Sequence, residues 1–369
     1  MMFLWLLLLS VFPYQVMGGK KDNSGKGRSG RLFNMFSVVN FPNDECTAGS
    51  TKGVCVAGSE CNAKGGVVLG TCASGFGSCC AIYVTDCTTS DFAFNLTYIT
   101  NPGYPSFYST AGTCTYTLTK SSSDICRIRL DFVDATLAAP DTKGACTTDY
   151  FTGTQVTGPT IPPICGANAG HHIYLDAGAD STSSATFSAV LTGTTTNRIW
   201  RILVSQIECS SRSLAPTGCF QYLTGWYGSV KSFNYDTTTT YEHLTSQDYN
   251  ICIRREAGYC KIGYIESADT DSFKLSRPDG TYNSGSGPTC ANDALIIPGG
   301  SNAGTTASCP EPSRDRYCGG RLNCYNNAKT SMEIISDRIP FILGVLLTNP
   351  EGASLNNRGF YLHYRQYTC

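Results

Sequence analysis

Apolar and polar residues alternate along much of the chain, and the clearest run occurs twice. Residues 197–209 read Asn197-Arg198-x-Trp200-x-Ile202-x-Val204-x-Gln206-x-x-Cys209, and residues 357–369 read Asn357-Arg358-x-Phe360-x-Leu362-x-Tyr364-x-Gln366-x-x-Cys369. A period of two is the mark of a strand with one buried face. No long stretch has helical apolar spacing, so the predicted elements are strands and the fold class is all-β. A closing strand present twice predicts a domain present twice.

The cysteines extend the repeat upstream. Each copy has a Cys-Gly pair, Cys165-Gly166 and Cys318-Gly319, preceded by a Cys followed three residues later by Asp, Cys146 with Asp149 and Cys290 with Asp293. Cys114 and Cys126 correspond to Cys252 and Cys260, and Cys87 and Cys219 open the two units. The second unit has two more, Cys309 and Cys324.

The 369 residues suffice for two or three domains, and the low charged fraction of 15% suits short strands joined by many turns. The first residues form a short apolar run with Leu6-Leu7-Leu8-Leu9, followed by Val16 and Gly18 at small-residue cleavage positions, which predicts a signal peptide over 1–18 and a secreted, extracellular protein. That run is too short for a comfortable membrane span, and neither a second spanning segment nor a lipid-anchor tail is expected. Twenty cysteines in a secreted chain point to disulfides. Asn95-Leu96-Thr97 is an N-glycosylation acceptor.

Residues 19–31 predict a basic flexible linker or propeptide. Lys26-x-Arg28-x-x-Arg31 resembles the recognition pattern of basic-site proteases of the secretory pathway, with cleavage after Arg31. Removing 1–31 leaves 22 basic and 27 acidic residues, a net charge of −5 that does not favour nucleic acid as a partner. Residues 32–86 hold Cys46, Cys55, Cys61, Cys72, Cys79 and Cys80 in a segment too small for a large core, so crosslinks must hold it. Six cysteines permit fifteen pairings, and spacing does not choose among them.

Two resemblances follow from these residues. The Cys55-to-Cys61 step and the adjacent Cys79-Cys80 make 32–86 similar to the clip-like modules of arthropod secreted proteins, which implies Cys46–Cys79, Cys55–Cys72 and Cys61–Cys80. Residues 87–209 resemble a CUB domain through Asn101-Pro102-Gly103-Tyr104-Pro105, Tyr108, Cys114-x-Tyr116-x-Leu118, Leu130-x-Phe132, Cys146-x-x-Asp149 and Cys165-Gly166. Residues 210–369 look like a more divergent copy, with the turn motif taken to be Thr224-Gly225-Trp226-Tyr227-Gly228. The resemblance implies two antiparallel β-sandwiches, with Cys87–Cys114, Cys146–Cys165, Cys219–Cys252 and Cys290–Cys318 bridged. Cys126–Cys209, Cys260–Cys369 and Cys309–Cys324 complete the expected map.

A search for chemistry yields no catalytic constellation, and the expectation is a non-enzyme. There is no Gly-x-Ser-x-Gly, no His-Glu-x-x-His and no phosphate loop before a helix. Neighbouring histidines on a strand face opposite ways, so His171-His172 is read as a partly exposed strand edge and not as a metal site. The CUB resemblance implies a candidate calcium site in the first unit built from Asp149, Asp180 and Asp141. The second unit has Asp293 but the neutral Asn349 at the later position. These readings point to a secreted, non-enzymatic binding or scaffold protein with an extracellular protein partner. The alternative is a regulator or inhibitor of an extracellular serine-protease cascade acting through the clip-like module.

Overall fold

A computed structural model describes residues 44–88, 90–180, 182–193, 197–236, 242–275, 285–286, 290–302, 315–322, 333–348 and 357–369. The signal segment 1–18, the segment 19–31 with Arg31, Asn349 and the pair Cys309–Cys324 lie outside these residues. The described residues fall in one compact unit spanning 41–369.

The all-β reading holds. Each repeat is a sandwich of two sheets, and the repeated closing strand sits inside one sheet of each pair. In the first unit Ile199–Glu208 lies between Thr97–Thr100 and Ile125–Thr136, and His172–Asp176 forms the far edge. The opposing sheet runs Ile161–Ile164, Asp149–Thr154, Ser184–Leu191, Gly112–Thr119, Ser90–Phe92. The alternating apolar positions Trp200, Ile202 and Val204 point between the sheets, where Phe132, Phe151 and Phe187 pack at ring separations of 5.3–6.2 Å. In the second unit Gly359–Thr368 pairs with Tyr227–Lys231 on one side and Tyr259–Glu266 on the other, facing the sheet that contains Gln247–Ile253, Phe341–Leu347 and Asp293–Ile296. Phe360, Leu362 and Tyr364 are buried there, as the repeat requires.

The register corrects one equivalence. Thr100 lies opposite Arg201, and Lys231 opposite Tyr361. The offsets of the closing strands match Arg201 to Tyr361, so the turn equivalent to Asn101-Pro102-Gly103-Tyr104 is Ser232-Phe233-Asn234-Tyr235, not Thr224–Gly228. The bonding agrees. Trp200 donates its backbone N–H to Asn101 Oδ1 at 3.0 Å, and Phe360 donates to Ser232 Oγ at 3.1 Å. The Tyr104 hydroxyl donates to Asp134 at 2.7 Å, and that of Tyr235 to Asp269 at 2.5 Å. Without prolines in the second copy, the motif was hidden from a pattern search.

The cysteine-rich module does not stand apart. Its strand Gly77–Val84 runs parallel to Thr97–Thr100, with Ile82, Tyr83 and Val84 opposite Thr97, Tyr98 and Ile99. The module's sheet is thereby continuous with that of the first sandwich. Tyr83 stacks on Tyr98 at 5.2 Å, and Leu203 of the closing strand joins Val54, Val56 and Cys80 in a shared apolar cluster.

Among the described residues nine disulfides join Cys46–Cys79, Cys55–Cys72, Cys61–Cys80, Cys87–Cys114, Cys126–Cys209, Cys146–Cys165, Cys219–Cys252, Cys260–Cys369 and Cys290–Cys318. Cys260–Cys369 spans the longest separation, 109 residues. In the chain-entropy picture long closures constrain the unfolded state most, so replacing both cysteines by serine is expected to cost about 2–5 kcal/mol. Urea denaturation of the double variant checks this. An unchanged midpoint would show that the closing strand is held by its ladder alone.

Candidate functional site

Asp149 begins a strand of the first sandwich, opposite Leu191. Its carboxylate is wholly enclosed and faces Arg198, which is 0% exposed. Arg198 Nε donates to Oδ2 at 2.9 Å and Nη2 to Oδ1 at 3.0 Å. The guanidinium also donates to the carbonyls of Thr110 and Gly193, while the backbone N–H of Thr192 donates to Asp149 Oδ1 at 3.1 Å. Burial pushes the Asp149 carboxyl up, but Arg198 and the backbone donors outweigh it and hold the group below the usual carboxylate range. A paired arginine thus satisfies this carboxylate by a bidentate contact.

The calcium set is corrected by this geometry. Asp180 lies beyond the opposite end of the strand Ser184–Leu191, whose seven steps span about 24 Å. Asp141 is exposed and caps its own loop, accepting the backbone N–H groups of Lys143 and Ala145 at 2.9 Å each. Among the described residues no three His, Cys, Asp or Glu side chains converge as metal ligands. A hard cation needs several converging oxygens, so Asp149, Asp180 and Asp141 do not fit one. Arg198 was the residue the calcium reading missed, although its signal, the Asn-Arg pair repeated at a fixed offset, was in view.

The second unit uses different partners. Asp293 Oδ1 accepts the backbone N–H of Thr348 at 2.9 Å, and Oδ2 stands 3.5 Å from His243 Nε2. Arg358, the counterpart of Arg198, turns instead to Asp269 at 2.9 Å and lies over the Tyr235 ring.

The two sandwiches meet at a joint built on His171-His172. His172–Asp176 is an edge strand and His171 is partly exposed, as expected, but His172 is only 8% exposed because the second unit covers this edge. The backbone N–H of Tyr174 donates to the carbonyl of Phe220 at 2.8 Å. His172 Nε2 lies 3.0 Å from the Tyr222 carbonyl and 3.1 Å from its N–H, and the His171 ring rests 4.9 Å from that of Phe233. Asn168 and Asn234 bridge the units, each with a side-chain oxygen taking a backbone N–H: that of Asn234 at 2.8 Å and that of Ala167 at 3.1 Å. Gly166 has φ +77°, and a Cβ there would fall 1.9 Å from Asn234 Oδ1, which gives the Cys-Gly pair of the first unit its physical reason. Burial pulls His171 down to about 3 and His172 to about 4, with the neighbouring charges of Lys231 and Arg129 adding to it.

Residues 216–367 match the family profile described as the animal CUB domain. The chain therefore carries a CUB domain, and the matched region is the unit whose sequence motifs look the more divergent. The CUB1-EGF-CUB2 domains of rat MASP-1 are similar over 75% of this chain and all of theirs, at 16% identity and a TM-score of 0.27. The corresponding human MASP-1/3 fragment matches at 15% identity, covering 73% of this chain and 98% of its own, with a TM-score of 0.24. A MASP-1 CUB2 domain bound to Ca²⁺ matches at 22% identity over 31% of this chain and 96% of its own, with a TM-score of 0.26. No curated protein matches the chain by sequence.

Proposed function

We propose that this is a secreted, non-enzymatic extracellular binding or scaffold protein in which a cysteine-rich module and two CUB-type units, 87–209 and 210–369, form one connected body that binds a protein partner. The observation that carries this reading is the merging of the three parts. Module and first unit share a sheet, and first and second units share a joint of buried hydrogen bonds. The nine disulfides among the described residues pin this body, which suits an oxidising compartment. CUB domains are typically extracellular interaction modules and generally non-catalytic. No helix among the described residues is long and apolar enough to cross a membrane. The module's strand Gly77–Val84 is used to cover a sheet edge, which favours a structural role for the module over that of an inhibitor in a protease cascade.

The Asn95 sequon belongs to the same reading. Asn95 Oδ1 accepts the backbone N–H groups of Leu96 at 2.9 Å and Gln206 at 2.7 Å, and Thr97 is buried with its hydroxyl donating to Phe94. A glycan would have to be attached before this corner closes.

Expression of the full chain in cells with a secretory pathway tests the proposal. The protein is expected in the medium, beginning at Leu32, with a glycosidase-sensitive mass lost in Asn95→Gln. A start near Gly19 would remove only the Arg31 cleavage. Retention inside the cell as reduced protein would overturn the extracellular reading.

A further inference from the structure

The duplication allows one edge to be compared with its counterpart. In the first unit the strand Thr97–Thr100 pairs with the closing strand on one side and with the module's Gly77–Val84 on the other. Its equivalent in the second unit is Tyr227–Lys231, which pairs with Gly359–Thr368 and ends the sheet order. Among the described residues no further strand lies on that edge. The sheet face beside it is open as well. Leu203, packed under the module in the first unit, corresponds to the exposed His363, and Tyr98 corresponds to the exposed Ser229. Trp226 is 51% and Tyr227 64% exposed, their rings 4.6 Å apart. Exposed strand edges invite pairing, and tyrosine, tryptophan and arginine are the residues that dominate binding energy at protein interfaces.

We infer that Tyr227–Lys231 is a docking edge that takes up an extended acidic segment of another protein as an added parallel strand. This deepens the proposed binding role and rests on it. The parallel sense comes from the first unit, where the same edge is filled by a parallel strand bearing Tyr83. A second copy fits poorly. Two-fold pairing of Tyr227–Lys231 with itself would be antiparallel, and Gly77–Val84 is already bonded on both edges. The acidic character comes from charge. Lys231, Lys261 and Arg365 line this face, with Lys231 over the Tyr361 ring and Arg365 over Tyr367, while Glu333 is the acid paired with Arg365. Main-chain pairing would supply affinity, and the face selectivity.

The probe is a synthetic peptide with the sequence of residues 79–86, serine replacing both cysteines, made with three aspartates or three lysines appended. The mature full-length protein is titrated with each, and backbone amide exchange is followed. The acidic peptide should bind at least tenfold more tightly, slow exchange at Tyr227–Lys231, and lose about tenfold on Lys231→Glu with Arg365→Glu. Equal binding of both peptides, or protection at Thr97–Thr100 instead, overturns the inference. Binding of neither overturns this edge as well, while the extracellular reading still stands or falls by the secretion test.

Discussion

Arg198→Ala is expected to destabilise the protein by about 3–5 kcal/mol, because it leaves the Asp149 carboxylate buried without its partner. Asp149→Ala should cost a comparable amount, since it strands the guanidinium. The double change Asp149→Leu with Arg198→Met is expected to recover much of the loss, as apolar replacement of both members of a buried pair often does. Urea unfolding of the three variants measures this. The same samples address the metal. If Arg198 serves as the resident cation, millimolar Ca²⁺ will not restore Arg198→Ala. Restoration by Ca²⁺ would show that the carboxylate can recruit a metal once uncovered. Single variants as stable as the parent would show that water reaches the pair.

The sequence made the fold class legible because strand alternation and cysteine order are local signals. Trp200-x-Ile202-x-Val204 could only be a strand with one buried face, and its copy at Phe360-x-Leu362-x-Tyr364 behaves alike. What stayed hidden was contact across long separations. Asp149 and Arg198 are 49 residues apart and Tyr174 and Phe220 are 46 apart, and no spacing rule brings them together. The CUB resemblance implied a calcium set at Asp149, Asp180 and Asp141, and the sequence shows these charges but not their partners. The burial of His172 on an edge strand was not legible because the element covering it lies in the other unit. The turn Ser232–Tyr235 escaped notice because the prolines that mark its counterpart are absent, while its hydrogen bonds are kept by serine in place of asparagine.

Acidification between pH 6.5 and 4.5 should loosen the joint between the two units. His172 is neutral in the folded state, with its ring nitrogen held against the Tyr222 backbone, edge-on to Tyr174 and near the Arg129–Asp131 pair. Its folded pKa of about 4 lies below the ordinary 6.5, so the opened state binds a proton first as pH falls. Stability is therefore complete above pH 6.5 and is lost as pH drops toward the folded value. At pH 4.5 the loss from His172 alone is roughly 2–3 kcal/mol. His171, which faces Phe233 and Lys231, is lowered as well and adds a loss of the same sign. Glu266 shifts the other way, since burial raises its carboxyl and favours the folded state as pH falls. Asp149, with its lowered carboxyl, begins to weaken the fold only at more acid pH. Comparison with His172→Gln separates these contributions. The parent is expected to lose amide-exchange protection at Phe220–Leu223 across this window. The variant, less stable at pH 7, should show a shallower slope. Equal slopes in the two proteins would remove His172 as the source of acid sensitivity.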